Sequence, residues 1–353
     1  MFLDLASSPV LLDPLDALVA GPDRNCLRVG LAIPASGVLG LTGPAALAAA
    51  ILAVEEINAR GGVGGRRVEL IPIDAGAATE AVADEVRSLL MSQSLEVLFG
   101  FHTSDIHRRL EHLTAGRVPY FFTPPHEGGN RVEGVILVGD GPADQLVPIA
   151  QQLAGPTRRR RWALIGNDYI WPRAVHSAAT EILRDHGADV VHVELVAFGR
   201  VNSDRIIDDL RRLRADAVLL SLVGRDLATF NRAFAGSPLS GRVSRVSGAL
   251  EETGLLEIEG DDTGELYSSM PWFAADPESE GLRERYGYRW GTQAPHLGVY
   301  AAGCYDGLHL MAEVGNARQL HVETVAAASA ALLTRRRGAS VARAEGLDLV
   351  RVG

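Results

Sequence analysis

Lysine is missing altogether from the 353 residues, so all 34 basic side chains are arginine. That absence excludes a phosphate-loop lysine, Schiff-base catalysis and any other mechanism needing an ammonium nucleophile. Cysteine is nearly missing too. Cys26 and Cys304 stand far apart, in no metal-ligand spacing, and two thiols make no disulfide framework. They read as free, partly buried thiols, with a Cys26–Cys304 pairing left open. No run approaches about 18 consecutive apolar residues, which excludes a membrane-spanning helix. Basic charge is also short: 34 arginines face 44 acidic residues, a net of −10, which argues against a nucleic-acid surface.

Hydrophobic residues make up 47% and charged ones 22%, which rules out a disordered chain. The length suits two domains of about 150 residues, or one large α/β unit. The first 25 residues carry Asp4, Asp13, Asp16 and Asp23 and no basic residue before Arg24, and prolines break each apolar run. No secretory leader is legible there, so the expected location is cytoplasmic, or extracytoplasmic if a leader lies upstream.

Regular structure is expected from Leu27 onward. Residues 27–34 form a short apolar run closed by proline, as in a buried parallel strand. A helix over 45–59 follows, ending in Arg60-Gly61-Gly62, and strands over 68–73, 95–100 and 119–123 alternate with helices over 79–92 and 105–114. A second series starts after Gly141-Pro142, with strands over 161–166, 190–196, 217–222 and 265–271. Its helix over 203–212 reads as capped by Ser203. Strand–helix alternation in two series points to two doubly wound α/β domains, with ligand sites at strand carboxyl ends and in the cleft between domains.

An enzyme finds little support. The cluster Gly61-Gly62-Val63-Gly64-Gly65 follows a helix and precedes a strand, the reverse of a dinucleotide fingerprint, and reads as a turn. No G-x-S-x-G elbow occurs, and the ten histidines form no metal motif. His107 and His112 read as exposed on a helix. The informative segments follow strands. Phe101-His102-Thr103-Ser104 opens a helix, where the Ser104 hydroxyl either caps the helix or meets a ligand. Thr123-Pro124-Pro125-His126 is stiffened by its prolines. Asn167-Asp168-Tyr169-Ile170-Trp171-Pro172 offers two aromatics as pocket wall or as surface packing. Val223-Gly224-Arg225 and Pro271-Trp272-Phe273 follow later strands.

Leu52-Ala53-Val54-Glu55-Glu56-Ile57-Asn58 with the glycine turn resembles the first helix and turn of type I periplasmic-binding proteins, receptors for branched-chain amino acids, amides and urea. The segment Gly166-Asn167-Asp168-Tyr169-Ile170-Trp171-Pro172 resembles the amide and urea branch. Phe99-Gly100 with Ser104, Gly141-Pro142-Ala143 and Val223-Gly224 resemble its cytoplasmic amide-sensor members. The likeness covers about residues 27–315. It implies two Rossmann-like lobes joined by a hinge: 27–142 plus 272–320, and 143–271 plus 321–353, with 1–26 as an extension. It implies a non-catalytic protein without cofactor or metal, closing on a small amide-, urea- or amino-acid-like ligand. The implied partner is a regulator such as an antiterminator or, for an importer component, an ABC permease, and a homodimer is compatible. The implied ligand-binding residues are His102, Ser104, Phe122, Thr123, Pro124, Pro125, Tyr169, Trp171, Val223, Gly224 and Trp272. Glu251 or Glu252 is a candidate acid for an amino-acid ammonium group.

Overall fold

The computed structural model describes residues 8–317 and 319–352. Of the expected extension, residues 1–7 lie outside these. Regular structure begins earlier than Leu27, with helix α1 (Pro14–Ala20). The Asp13 carboxylate accepts the Leu15 and Asp16 N–H groups at 2.8 and 3.4 Å, and Pro14 supplies a preset first turn. The chain continues through β1 (Cys26–Ile33), α2 (Gly43–Ala59), β2 (Arg67–Asp74), α3 (Thr79–Met91), β3 (Val97–Gly100), α4 (Ser104–Thr114), β4 (Tyr120–Phe122) and β5 (Val135–Leu137). Next come α5 (Pro142–Leu153), β6 (Arg161–Asn167), α6 (Ile170–Asp185), β7 (Asp189–Val196), α7 (Ser203–Arg212), β8 (Ala217–Ser221), α8 (Gly224–Ala235), β9 (Ser244–Ser247), α9 (Glu252–Glu257) and β10 (Leu266–Met270). Helices α10 (Glu280–Trp290), α11 (Val299–Asn316) and α12 (Val322–Leu333) precede the hairpin β11 (Ser340–Glu345) and β12 (Asp348–Arg351).

The fold is α/β, with two sheets of mostly parallel strands. One runs β2-β1-β3-β4-β5, parallel throughout. The other runs β12-β11-β10-β9-β8-β6-β7; β6 to β10 are parallel, and β11 and β12 are antiparallel additions. All eight residues of β1 are buried, as a strand covered on both faces must be. Helix α2 packs on α11, and α3 packs on α4 and α1. The family-like run at the end of α2 has a local cause. The Asn58 carboxamide accepts the Val68 N–H at 2.7 Å and donates to the Val68 carbonyl at 2.9 Å, so it fastens the helix to β2. Gly62 has φ +76°, and a Cβ there would lie 1.9 Å from the Arg66 carbonyl oxygen, so only glycine fits the turn. Helix α7 is capped by Asn202 rather than Ser203: its side chain accepts the Arg205 N–H at 3.1 Å.

The chain divides into two compact units. Unit 1 comprises residues up to Pro124, Gly129–Gly139 and Leu282–Arg336; unit 2 comprises Pro125–Gly128, Asp140–Gly281 and Arg337 onward. The later passages thus fall at 281/282 and 336/337, past the expected 271/272 and 320/321. Local bonds explain the shift. Beyond β10, Phe273 is fully buried, the Ala274 N–H donates to Glu252 at 2.6 Å, and Asp276 pairs with Arg351. Helix α12 packs instead on β5 and α11 in unit 1.

Unit 2 contains a fully buried arginine. Arg245 donates to Asp261 at 2.5 Å and to Asn231 at 3.0 Å, with its guanidinium 4.7 Å from the Phe234 ring centroid. Removing one partner of a buried pair leaves an uncompensated charge. Asp261→Ala is expected to lower unfolding stability by about 3–5 kcal/mol in urea titrations.

Candidate functional site

Parallel strands deliver all their following loops to one edge of a sheet, and helix N-termini point their N–H groups there. In unit 1 the loop after β1 is held by Asp74, the last residue of β2. One of its oxygens accepts the N–H groups of Ala35, Ser36 and Gly76 at 2.8, 3.1 and 2.9 Å. Burial opposes ionisation of Asp74, but the Ser36 hydroxyl and these N–H groups outweigh it and hold the carboxyl below its usual range.

After β3, Phe101 stacks on Tyr300 with centroids 4.6 Å apart. Ser104 is buried at the first position of α4, and Thr103 is the N-cap. His102 turns inward and is only 2% exposed. Its Nδ1 lies 3.1 Å from the Thr103 carbonyl, which can only accept, so Nδ1 carries the proton. Nε2 then accepts from the Tyr120 hydroxyl at 3.0 Å, and that oxygen accepts from His107 Nδ1, also at 3.0 Å. Phe122 is fully buried in the same cluster, stacked 4.1 Å from the His107 ring and 5.2 Å from that of His102. The structure therefore places His102 and Phe122 in the interior of unit 1. His107, expected to be exposed, is fully buried for the same reason. Thr123 is buried, donating its hydroxyl to the Gly100 carbonyl at 3.2 Å, with the Cys304 thiol 3.9 Å away. Both cysteines are free and buried. Pro124 is buried, and Pro125 opens the short stretch belonging to unit 2.

In unit 2 the β6 loop is fixed by a buried polar network. The Asn167 amide donates to Asp226 at 2.6 Å and its carbonyl accepts the Val223 N–H at 3.0 Å. This network brings the Tyr169–Trp171 loop together with Val223 and Gly224 at the start of α8. The Tyr169 ring lies 6.4 Å from that of Trp171 and 5.2 Å from that of Phe198, on the loop after β7. Trp171 is 4% exposed, and its indole N–H has no hydrogen-bond partner among the described residues. Trp272 is half-buried beyond β10, two strands from β8.

Glu251, beyond β9, is buried, and one of its oxygens has no partner among the described residues. Burial pushes its carboxyl up to about 7, against hydrogen bonds from Thr253 and Gly254. One oxygen of the Glu252 carboxylate accepts the Ala274 N–H at 2.6 Å. Sequence reading overlooked Phe198 and Tyr300; applying the strand-end rule to the loop after residues 190–196 would have found the first.

Two features elsewhere do different work. A hollow of about 1000 Å³ in unit 1, lined by Leu27, Arg66, Leu95, Val118 and His321, sits at the amino ends of β1, β3 and β4, away from these loops. His192, Glu194 and Asp209 lie close enough to share a cation, but Arg205 already pairs with both carboxylates.

The profile of a family described as periplasmic binding protein matches residues 27–335. A Leu/Ile/Val-binding protein homolog 7 from Brucella suis is 27% identical over 229 residues, 61% of this chain and 57% of that protein. Its Brucella abortus counterpart is 26% identical over 224 residues, 60% of this chain and 56% of the relative. The match thus spans little over half the length of these curated relatives. Among solved structures, an ABC-transporter solute binding protein from Rhodopseudomonas palustris in complex with p-hydroxybenzoic acid has a TM-score of 0.76 at 15% identity, covering 92% of this chain and 95% of that one. A branched-chain amino acid transporter substrate binding protein from Streptococcus pneumoniae, in complex with isoleucine, has a TM-score of 0.73 at 16% identity, covering 93% and 99%. At these identities the likeness is one of fold.

Two buried histidines set the acid limit of the fold. Burial lowers both His102 and His176 from 6.5 to about 4, and both ring nitrogens of His176 lack partners among the described residues. The unfolded chain therefore binds these protons first. Their contribution is complete above pH 6.5 and falls as pH drops toward 4, by up to about 3 kcal/mol per histidine, while the raised Glu251 carboxyl works the other way and costs stability as pH rises from 4.5 to 7. Urea titrations of Glu251→Gln at pH 7.5 and 4.5 isolate the histidine contribution; equal midpoints in that variant would contradict it.

Proposed function

The chain belongs to the periplasmic-binding-protein family, and from that premise we propose that it is the solute-binding component of an ABC importer, taking an apolar amino-acid-like solute outside the cytoplasm. The observation that carries the solute class is Glu251: a buried carboxyl, partly unpaired, at the same edge of the sheet as an aromatic row. A lone buried carboxyl calls for a cation, and the rings call for an apolar body. A neutral amide or urea would give Glu251 a hydrogen bond but no opposite charge. The relatives named above are binding and transport proteins, which favours an importer, with a permease as partner, over a regulator-coupled amide sensor. No helix among the described residues is long and apolar enough to cross a membrane.

The proposed contacts of unit 2 are the faces of Tyr169 and Trp171, the backbone of Val223 and Gly224, Trp272, and Glu251 for the ammonium group. Those of unit 1 are the Ser104 hydroxyl, Thr123 and the Pro124–Pro125 backbone. His102 and Phe122 act from behind, by fixing the backbone from which Ser104 projects. Three or four hydrogen bonds and a few covered rings suit a Kd of micromolar order, about −8 kcal/mol.

A thermal-shift and calorimetric panel of isoleucine, leucine, phenylalanine, 4-hydroxybenzoate, short amides and urea tests this. The bound solute at 100 times its Kd adds about 2.7 kcal/mol of stability. An arriving ammonium lowers the Glu251 pKa from about 7, so binding at pH 6.5 releases a proton and affinity rises with pH through 7. Glu251→Gln abolishes that release, and Trp171→Ala weakens binding about tenfold or more. Tight binding of urea with no proton release would favour the amide reading instead.

A further inference from the structure

Phe198 is held with more care than an ordinary surface ring needs. We propose that it is a specificity residue of the solute site, covering the solute's apolar body and selecting a flat aromatic body over a branched aliphatic one. This rests on the importer reading above and narrows its solute class.

Phe198 follows β7, the edge strand beside β6, and it is 39% exposed. Its ring begins a row that continues through Tyr169 to Trp171 and passes from exposed to buried along the way. The turn that carries it is well defined. The Arg200 N–H donates to the Ala197 carbonyl at 3.0 Å and Gly199 has φ +70°, so Phe198 occupies the first corner of a tight turn whose second corner demands glycine. Proline or a polar residue is usual at such a corner.

The turn is also clamped. The Gly199 N–H donates to the two oxygens of Asp226 at 3.0 and 3.2 Å. Asp226 is buried, and its remaining hydrogen bond comes from Asn167, which in turn holds the Val223 N–H. One buried carboxylate therefore ties the Phe198 turn to the Tyr169 loop and to the start of α8. Placing a carboxylate out of water is costly unless it is bonded all round. Here that arrangement serves to fix an exposed apolar ring in line with two others. A fixed row of rings rewards a flat ring through offset or edge contacts, which a branched aliphatic chain cannot make.

Calorimetric Kd values of the full chain for L-phenylalanine, 4-hydroxybenzoate and L-isoleucine test the assignment, on wild type, Phe198→Ala and Phe198→Leu, with thermal melting to confirm folding. Wild type is expected to prefer an aromatic probe. Phe198→Ala should weaken that probe about tenfold while isoleucine changes less than about threefold, and Phe198→Leu should shift preference toward isoleucine. A uniform loss across probes, no loss, or a wild type that binds isoleucine alone overturns the Phe198 assignment and leaves the importer reading standing. A wild type that binds no member of the wider solute panel overturns both.

Discussion

Parallel pairing of strands is the constraint from which the rest follows. A parallel sheet is largely covered on both faces, so its strands are mostly interior and leave little room for a ligand along their length. Polar function is pushed to the loops at the strand ends, and because the strands share a direction, the same edge receives every exit loop. In unit 2 this gathers Tyr169, Phe198, Val223, Glu251 and Trp272 from five exits along one sheet edge. In unit 1 it gathers Ser36, Ser104 and Thr123.

Loops at such an edge need fastening, and the protein does this with buried polar groups. Asp74 holds the β1 exit, the His102–Tyr120–His107 chain holds the β3 exit, and Asn167 with Asp226 holds the β6, β7 and β8 exits. Each is hydrogen-bonded locally, which is how such groups are tolerated inside. Glu251 and Trp171, at the unit 2 exits, each keep a buried polar atom without a hydrogen-bond partner among the described residues. Fastened loops beside unspent polar atoms are what a receptor needs before its guest arrives.

Much of this was legible in the sequence. Alternating apolar runs and amphipathic stretches located β1 to β4, β6 to β8 and β10 with helices between them, and the run ending in Asn58 and Gly62 marked the α2 turn. The short strands β5 and β9 were not legible, since three or four apolar residues among loops carry no period. The hairpin of β11 and β12 was missed because its arginines and glutamate alternate with alanine rather than with large apolar side chains. At the candidate site, strand-end position singled out the Tyr169–Trp171 loop, while His102 was put on the ligand wall by the family resemblance. Only tertiary packing reveals that its ring turns inward to meet Tyr120.

The closing hairpin has a consequence of another kind. A parallel sheet ending at β10 would leave a border of open backbone groups, a template for strands of other molecules. Instead β11 pairs there, and the outermost strand β12 is four residues long, starting with exposed Asp348 and ending with Arg351 tied back to Asp276. So short and charged a border gives an incoming strand little to align with, which keeps a protein crowded by its own copies from zipping into aggregates.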